Sequence, residues 1–352
     1  MRTLLEHYDI AGRLPVWIFQ GNETDMMMGY HSVPVLVDAF LKNPDSLPGD
    51  KILAAALHSA TQSDFGVDEY QRLGYVPYEY GSWNVSLTLE YAYDDWAIAK
   101  LAQALGNMEI YNRFLARSKN YHHHFDAQTN FMRAKSQEGS FRSSFDPNAY
   151  HPEDYCEANA WQYSFFVPHD INGLIKLMGG NSAFSSKLDD MFNTQQDAST
   201  FPEWISGTIG QYVHGNEPSH HVPYLYQFVG QSHKTQKIVR EIMRDLYSND
   251  PNGLAGNEDA GQMSAWYLFS ALGFYPVDPV TGEYILGSPA VDSADIHLEN
   301  GKTFSVRTIN QADDHVYVAS VSLNGKPLEG FTLSHRDIMA GGVLEFKMSK
   351  QP

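Results

Sequence analysis

The chain has 352 residues, 43% of them hydrophobic and 19% charged, a composition that excludes disordered, collagenous and mucin-like classes and is large enough for a substantial core. Twenty-four Lys and Arg stand against 42 Asp and Glu, a net charge of −18. That balance argues against nucleic acid or an anionic membrane surface as partner, both of which need a basic face, and suits a neutral substrate or a hard cation.

Cys156 is the single cysteine, so packing rather than an intrachain disulfide must hold the fold. Met1 to Pro15 mixes Arg2, Glu6, His7, Asp9 and Arg13 with its apolar residues and lacks the uninterrupted core of a signal peptide. No run approaches the roughly 20 apolar residues of a membrane span. Apolar residues three and four apart predict helices over Val33 to Lys42 and Lys51 to Thr61. Leu87 to Leu105 is the clearest, with Leu89, Tyr93, Trp96, Leu101 and Leu105 on one stripe and Gly106 at its stop. Further helices are expected over Tyr111 to His124, Ile171 to Met178, Ala183 to Phe192, His221 to Val229, Lys234 to Leu246 and Ser264 to Leu272, with long polar loops and no strands between them. From about Val291 the period changes to two. Phe304 and Val306 alternate with Ser305 and Arg307, Val316 to Val321 and Val343 to Met348 read as strands, and Asn300-Gly301 and Asn324-Gly325 are turn signals. The expected fold is therefore mostly α: a helical domain over 1–290 and a small antiparallel β segment over 291–352 packing on it.

Large helical domains place their chemistry on loops, and four polar clusters lie outside the helical stripes. Gly21 to Asp25 with Met26, Met27 and Met28 reads as a capping segment on a Met-rich turn or as part of a site. Tyr155 to Tyr163, closing with Val167-Pro168-His169-Asp170, sets Glu157 among aromatic rings, where burial would raise a carboxyl toward general-acid range; a glutamate paired with a neighbouring Arg or amide is the alternative. His214 to His221 offers Asn and Glu oxygens of the kind calcium takes, or caps a helix. Gly253 to Gln262 carries Glu258 and Asp259 between glycines and opens either a site or a capped helix. His122, His123 and His124 read as a solvated helix end. Loop carboxylates with aromatic platforms and hydroxyl-binding Asn, Gln and His describe a glycosidase pocket better than a nucleophilic triad, and no G-x-S-x-G elbow is present.

In order, Glu23-Thr24 with Met28 to His31, Leu89 to Trp96, Glu157 to Tyr163 with Val167 to Asp170, Gly215 to His221, and Gly256 to Trp266 resemble the characteristic segments of the glycoside hydrolase family 92 α-mannosidases. The likeness covers nearly the whole chain. It implies a calcium-dependent, exo-acting, inverting enzyme that releases terminal α-mannose from mannan or N-glycans. By motif, Glu157 would be the general acid and Asp259 the general base, about 6.5–9.5 Å apart as inversion requires. Asn216 and Glu217 would lie at the calcium, and His214, Trp161 and Asn257 would contact the sugar. The family fold implies an (α/α)6 toroid, here incomplete at its N-terminal side, with the preceding β-sandwich domain as a partner outside this chain. Periplasmic or secreted location is implied likewise. Ala158 stands where the family usually has glycine. Mannosyl-phosphate hydrolysis belongs to members with an amide at the acid position, which Glu157 argues against. A different reading, an incomplete glycan-binding or structural fragment, follows from the missing N-terminal half; an isomerase or lyase on an (α/α) toroid would use His and Tyr instead.

Overall fold

The computed structural model describes residues 1–196, 201–202 and 205–352. The chain divides into two compact units, Met1–Asp170 with Phe201, and Ile171–Gln196 with Pro202–Pro352. The helices expected near residues 33, 51, 87, 171, 183, 234 and 264 are present as Ser32–Lys42, Gly49–Ser59, Asn84–Ala104, Ile171–Leu177, Asn181–Asn193, Ser232–Asp245 and Gln262–Leu272. No helix among the described residues is long and apolar enough to cross a membrane.

The first unit is organised by Asn84–Ala104. The expected single stripe is replaced by burial all round, since seventeen of its 21 residues are buried and only Trp96 and Leu105 of the predicted stripe are partly exposed. Polar residues on this helix therefore need partners inside the protein. Ser86, Glu90 and Asp94, four residues apart, form one face. The Ser86 hydroxyl accepts from the Cys156 N–H at 2.9 Å, Glu90 Oε1 accepts from the Tyr163 hydroxyl at 3.1 Å, and Asp94 Oδ2 accepts from the Tyr30 N–H at 2.7 Å. His31 spans the last two carboxylates, Nε2 lying 2.8 Å from Glu90 Oε2 and Nδ1 2.7 Å from Asp94 Oδ1. Only an imidazolium can donate from both nitrogens. Burial alone would lower the His31 pKa, but the adjoining Asp94 and Glu90 carboxylates outweigh it and hold it well above the usual value. On the next helix position Asp95 accepts from Tyr30, Tyr70 and Arg117 at 2.7, 3.0 and 2.8 Å.

Other departures have similar causes. The predicted helix to His124 ends at Arg117 and resumes as 3₁₀ turns over Asn120–His124. His124 is not solvated: its ring is buried, with Nδ1 2.7 Å from the Arg133 carbonyl and Nε2 3.0 Å from Thr88 Oγ1, and burial takes its pKa to about 3. Val222–Val229, which opens with Pro223, also winds as 3₁₀. Helices also stand at Arg2–Ala11, Val67–Leu73, Ala160–Ser164 and His335–Ala340, where none was expected; the last two, of five and six residues, carry too few turns to show a period. Hairpins such as Ile18–Phe19 with Asn22–Glu23, Phe125–Asp126 with Phe131–Met132, and Thr208–Ile209 with Tyr212–Val213 stand where no strands were expected; two-residue strands show no alternation.

In the second unit a five-stranded sheet runs in the order Lys326–Pro327, Tyr317–Leu323, Gly342–Ser349, Thr303–Ile309, Ser293–His297. It is mixed rather than antiparallel, because Thr303–Ile309 pairs parallel with Gly342–Ser349, the helix His335–Ala340 lying just before the latter. Phe274–Tyr275 and Glu283–Leu286 form a separate three-stranded sheet with Thr332–Ser334. Asn324 and Gly325, with φ of 53° and 75°, make the two-residue hairpin turn their sequence predicts. Phe304, Val306, Leu344 and Phe346 are fully buried in one cluster with Phe274 and Leu333.

Phe304→Ala should lower the unfolding free energy by about 3–5 kcal/mol, the usual cost of deleting a buried ring, and a guanidinium melt of the variant checks it. His31 should titrate well above the usual value of about 6.5 by NMR of its ring, and Asp94→Asn should bring the midpoint back down. Because the folded pKa is the higher one, the stabilisation from this pairing is complete below the unfolded pKa and is lost as pH rises through the folded value.

Candidate active site

In the first unit the segment carrying Glu157 is fastened to the start of the helix Asn84–Ala104. The N–H groups at a helix start have no partner within the helix. Here the Trp83 N–H donates to the Glu153 carbonyl at 2.8 Å, and the Val85 and Ser86 N–H groups share the Asp154 carbonyl at 3.1 and 3.4 Å. The Asn84 amide reaches the Glu153 carbonyl and Asp154 Oδ1, which also accepts from Arg142 at 2.9 Å.

Glu157 is half-buried and its backbone is left-handed, with φ of 52°. Beyond it Asn159 caps Ala160–Ser164 in a capping box, accepting from the Trp161 N–H at 3.0 Å while the Gln162 side chain accepts from the Asn159 N–H at 3.0 Å. Trp161 is buried: its indole N–H donates to Asn148 Oδ1 at 2.8 Å and its ring meets Phe131 edge-on at 4.8 Å. Burial, then the neighbouring Glu90 charge, pushes the Tyr163 hydroxyl well above its ordinary pKa.

In the second unit two of the predicted clusters meet backbone to backbone. A Cβ on Gly256 would lie 2.6 Å from the Gly215 carbonyl oxygen, and one on Gly215 would lie 2.7 Å from that of Ser206. Only glycine permits this approach. Ser206 completes the junction, its carbonyl accepting from the Gly215 N–H at 3.1 Å and its hydroxyl from the Gly256 N–H at 2.8 Å. Asn216 and Glu217 thereby stand beside the stretch holding Asn257 and Asp259.

Glu258 accepts from the backbone N–H and hydroxyl of Ser264 at 2.9 and 3.0 Å, so it caps the helix Gln262–Leu272. Asp259 is half-buried with φ of 45°, and Asn257 is exposed. Asn216 is buried and Glu217 half-buried.

His214 sits under this junction rather than in the open. Its ring is fully buried, Nδ1 lying 2.7 Å from the Tyr212 hydroxyl and Nε2 2.6 Å from that of Tyr247, with Trp266 edge-on at 4.4 Å. Both nitrogens are engaged, so the geometry supports positioning of the loop in place of the sugar contact expected from sequence. Burial, then neighbouring His220, keeps it neutral. His220 is buried as well: Nε2 donates to the His214 carbonyl, Nδ1 accepts from Gln262, and burial lowers its pKa to about 4.

Among the described residues no three His, Cys, Asp or Glu side chains converge as a metal site. The 216–219 turn does hold oxygen donors: the Asn216 amide, the Glu217 carboxylate and the Ser219 hydroxyl, which is buried with no hydrogen-bond partner. That chemistry fits a hard cation whose remaining ligands are backbone, water or sugar oxygens. Ser86, Glu90, Asp94 and Ser219 were not singled out from sequence as site residues. The four-residue spacing of the first three, which places them on one face of a single helix, was the signal available.

Residues 1–350 match the family model described as the glycosyl hydrolase family 92 catalytic domain. The chain is 38% identical, with a TM-score of 0.94, to a family GH92 α-mannosidase from Bacteroides thetaiotaomicron solved in complex with mannoimidazole, over all of this chain and 48% of that one. It is 35% identical, with a TM-score of 0.91, to a GH92 inverting mannosidase from Bacteroides thetaiotaomicron VPI-5482, over all of this chain and 50% of that one. An uncharacterised secreted glycosidase of Arthroderma benhamiae is 26% identical over 99% of this chain and 48% of its own length. The chain spans about half the length of these relatives. A match over 350 residues and this level of likeness over the full chain place it in glycosyl hydrolase family 92.

Proposed function

We propose that this chain carries the acid and the base of an exo-acting, inverting α-mannosidase that releases terminal mannose from mannan or N-glycans. One observation carries the reading: Glu157 and Asp259 each occupy a left-handed, non-glycine backbone position three residues before the first residue of a helix, Ala160–Ser164 and Gln262–Leu272. Such a conformation costs roughly 1–2 kcal/mol for a residue with a Cβ and persists where the surroundings over-determine it, which is common at functional sites. Likeness to solved α-mannosidases, one of them inverting, supports the substrate class and the stereochemistry. The same likeness supports reading the helices as part of an (α/α)6 toroid, and the secreted relative supports a periplasmic or secreted location.

In this reading the Glu157 carboxyl gives its proton to the glycosidic oxygen as the C1–O bond breaks. Asp259 takes a proton from the water whose oxygen bonds to C1 from the opposite face, leaving mannose of inverted configuration and the free alcohol. Asn216 and Glu217, with Ser219 beside them, would hold calcium, which when bound supplies positive charge to the sugar hydroxyls. Asn257, exposed beside Asp259, remains a substrate contact in this proposal, while the buried Trp161 and His214 support the segments above them.

The chain's half-length relative to its relatives favours a second reading, in which it binds terminal mannose but turns it over only with residues outside it.

Free mannose released from α-1,2-, α-1,3- and α-1,6-mannobiose, with calcium and with excess EDTA, separates the two. Calcium-dependent release is expected; binding without release supports the second reading. Glu157→Gln should reduce turnover of mannobiose by about 10²–10⁴-fold and affect dinitrophenyl α-mannoside far less, since that leaving group needs no proton. Asp259→Asn should reduce both substrates alike, and equal loss on both for Glu157→Gln would remove it from the acid role.

A further inference from the structure

The residues on either side of Glu157 are hydrogen-bonded into the first unit. Immediately before it, the Cys156 N–H donates to Ser86 Oγ at 2.9 Å, and Ser86 and Cys156 are both buried. Immediately after it, the Ala158 carbonyl accepts from the His151 N–H at 3.4 Å. Seven residues on from Cys156, the Tyr163 hydroxyl donates to Glu90 Oε1 at 3.1 Å. The two outer attachments lie four residues apart on one helix, so successive turns of a single rigid element grip both ends of the segment.

Glu90 cannot drift in turn, because its other oxygen meets His31 Nε2 at 2.8 Å and His31 is fixed to Asp94 at 2.7 Å. The Ser86 contact is the one nearest Glu157. Without the hydroxyl, the Cys156 N–H loses its acceptor at 2.9 Å, whether the amide stays in place or the backbone turns toward another acceptor. Either way the left-handed conformation at the next residue loses a restraint, and the carboxyl it aims moves.

We propose that Ser86, with Tyr163 and Glu90 at the far end of the segment, is the positioning residue that aims the Glu157 carboxyl at the leaving-group oxygen. The proposal rests on the reading of Glu157 as general acid. Ser86 acts on proton delivery and on neither water activation nor sugar binding, which gives it a kinetic signature. A misplacement of about 1 Å in a catalytic group costs on the order of 10²-fold in rate.

The test compares wild type, Ser86→Ala, Tyr163→Phe and Glu157→Gln on a mannobiose and on dinitrophenyl α-mannoside, with amide hydrogen exchange over 155–158 as a readout independent of turnover. Ser86→Ala is expected to lower kcat on mannobiose by about 10–100-fold with KM within about 3-fold, and to leave the dinitrophenyl substrate within about 3-fold. Tyr163→Phe should show the same preference for the better leaving group with a smaller loss. Exchange at 155–158 should accelerate by at least about tenfold in Ser86→Ala while the amides of 90–104 stay protected. Equal losses on both substrates, or unchanged exchange at 155–158, would overturn the proposal. If Glu157→Gln discriminates between the leaving groups and the two positioning variants do not, the positioning role fails and the acid remains. Should Glu157→Gln itself treat both substrates alike, the acid reading fails and the positioning role with it.

Discussion

A helix buried on every side cannot carry hydroxyls and carboxylates unless other segments bring donors to them. In Asn84–Ala104 this requirement organises the first unit. Ser86, Glu90 and Asp94 are satisfied by Cys156, by Tyr163 and His31, and by Tyr30 and His31. Asp95, one position round, gathers Tyr30, Tyr70 and Arg117. Each bond ties another segment, loop or helix, to this one, and leaving any of these acceptors unpaired would cost more than forming the bond gains. The loops near residues 30 and 157 are therefore ordered by what the helix needs.

The second unit uses a different constraint, the absence of side chains. Gly215 and Gly256 let two backbones touch, and Ser206 hydrogen-bonds both. Beneath that junction lie His214 and His220, neutral because they are buried, with Trp266 and Tyr247 packed against them. Neutral, fully hydrogen-bonded imidazoles add rigidity without charge. A loop resting on such a base can present Asn216, Glu217 and Asp259 with little freedom of the backbone beneath them.

Both candidate carboxylates share one local solution: a left-handed residue whose neighbours are pinned, followed by a helix start. Glu258 shows why the adjacent acid in the second unit is a poorer base, since its oxygens are occupied by Ser264. His214 shows how little residue type says about a side chain's surroundings. A histidine in a polar, His-rich loop looks available in sequence, yet two tyrosines take both of its nitrogens.

The amino-acid sequence by itself determined most of the helices, the period change near residue 291, the Asn324-Gly325 turn and the order of segments by which the family is legible, because these depend on neighbours a few residues apart. It also singled out Glu157 and Asp259 as the candidate acid and base proposed above. What only tertiary structure decided was which polar groups are inside. The all-round burial of Asn84–Ala104, the buried rings of His124 and His214, the unpaired Ser219 hydroxyl and the parallel pairing of Thr303–Ile309 with Gly342–Ser349 follow from contacts between residues distant in the chain. Periodicity records the face a segment turns to the core when one side meets water; for a segment with no wet side it records nothing, and the partners of its polar residues are set by the loops folded over it.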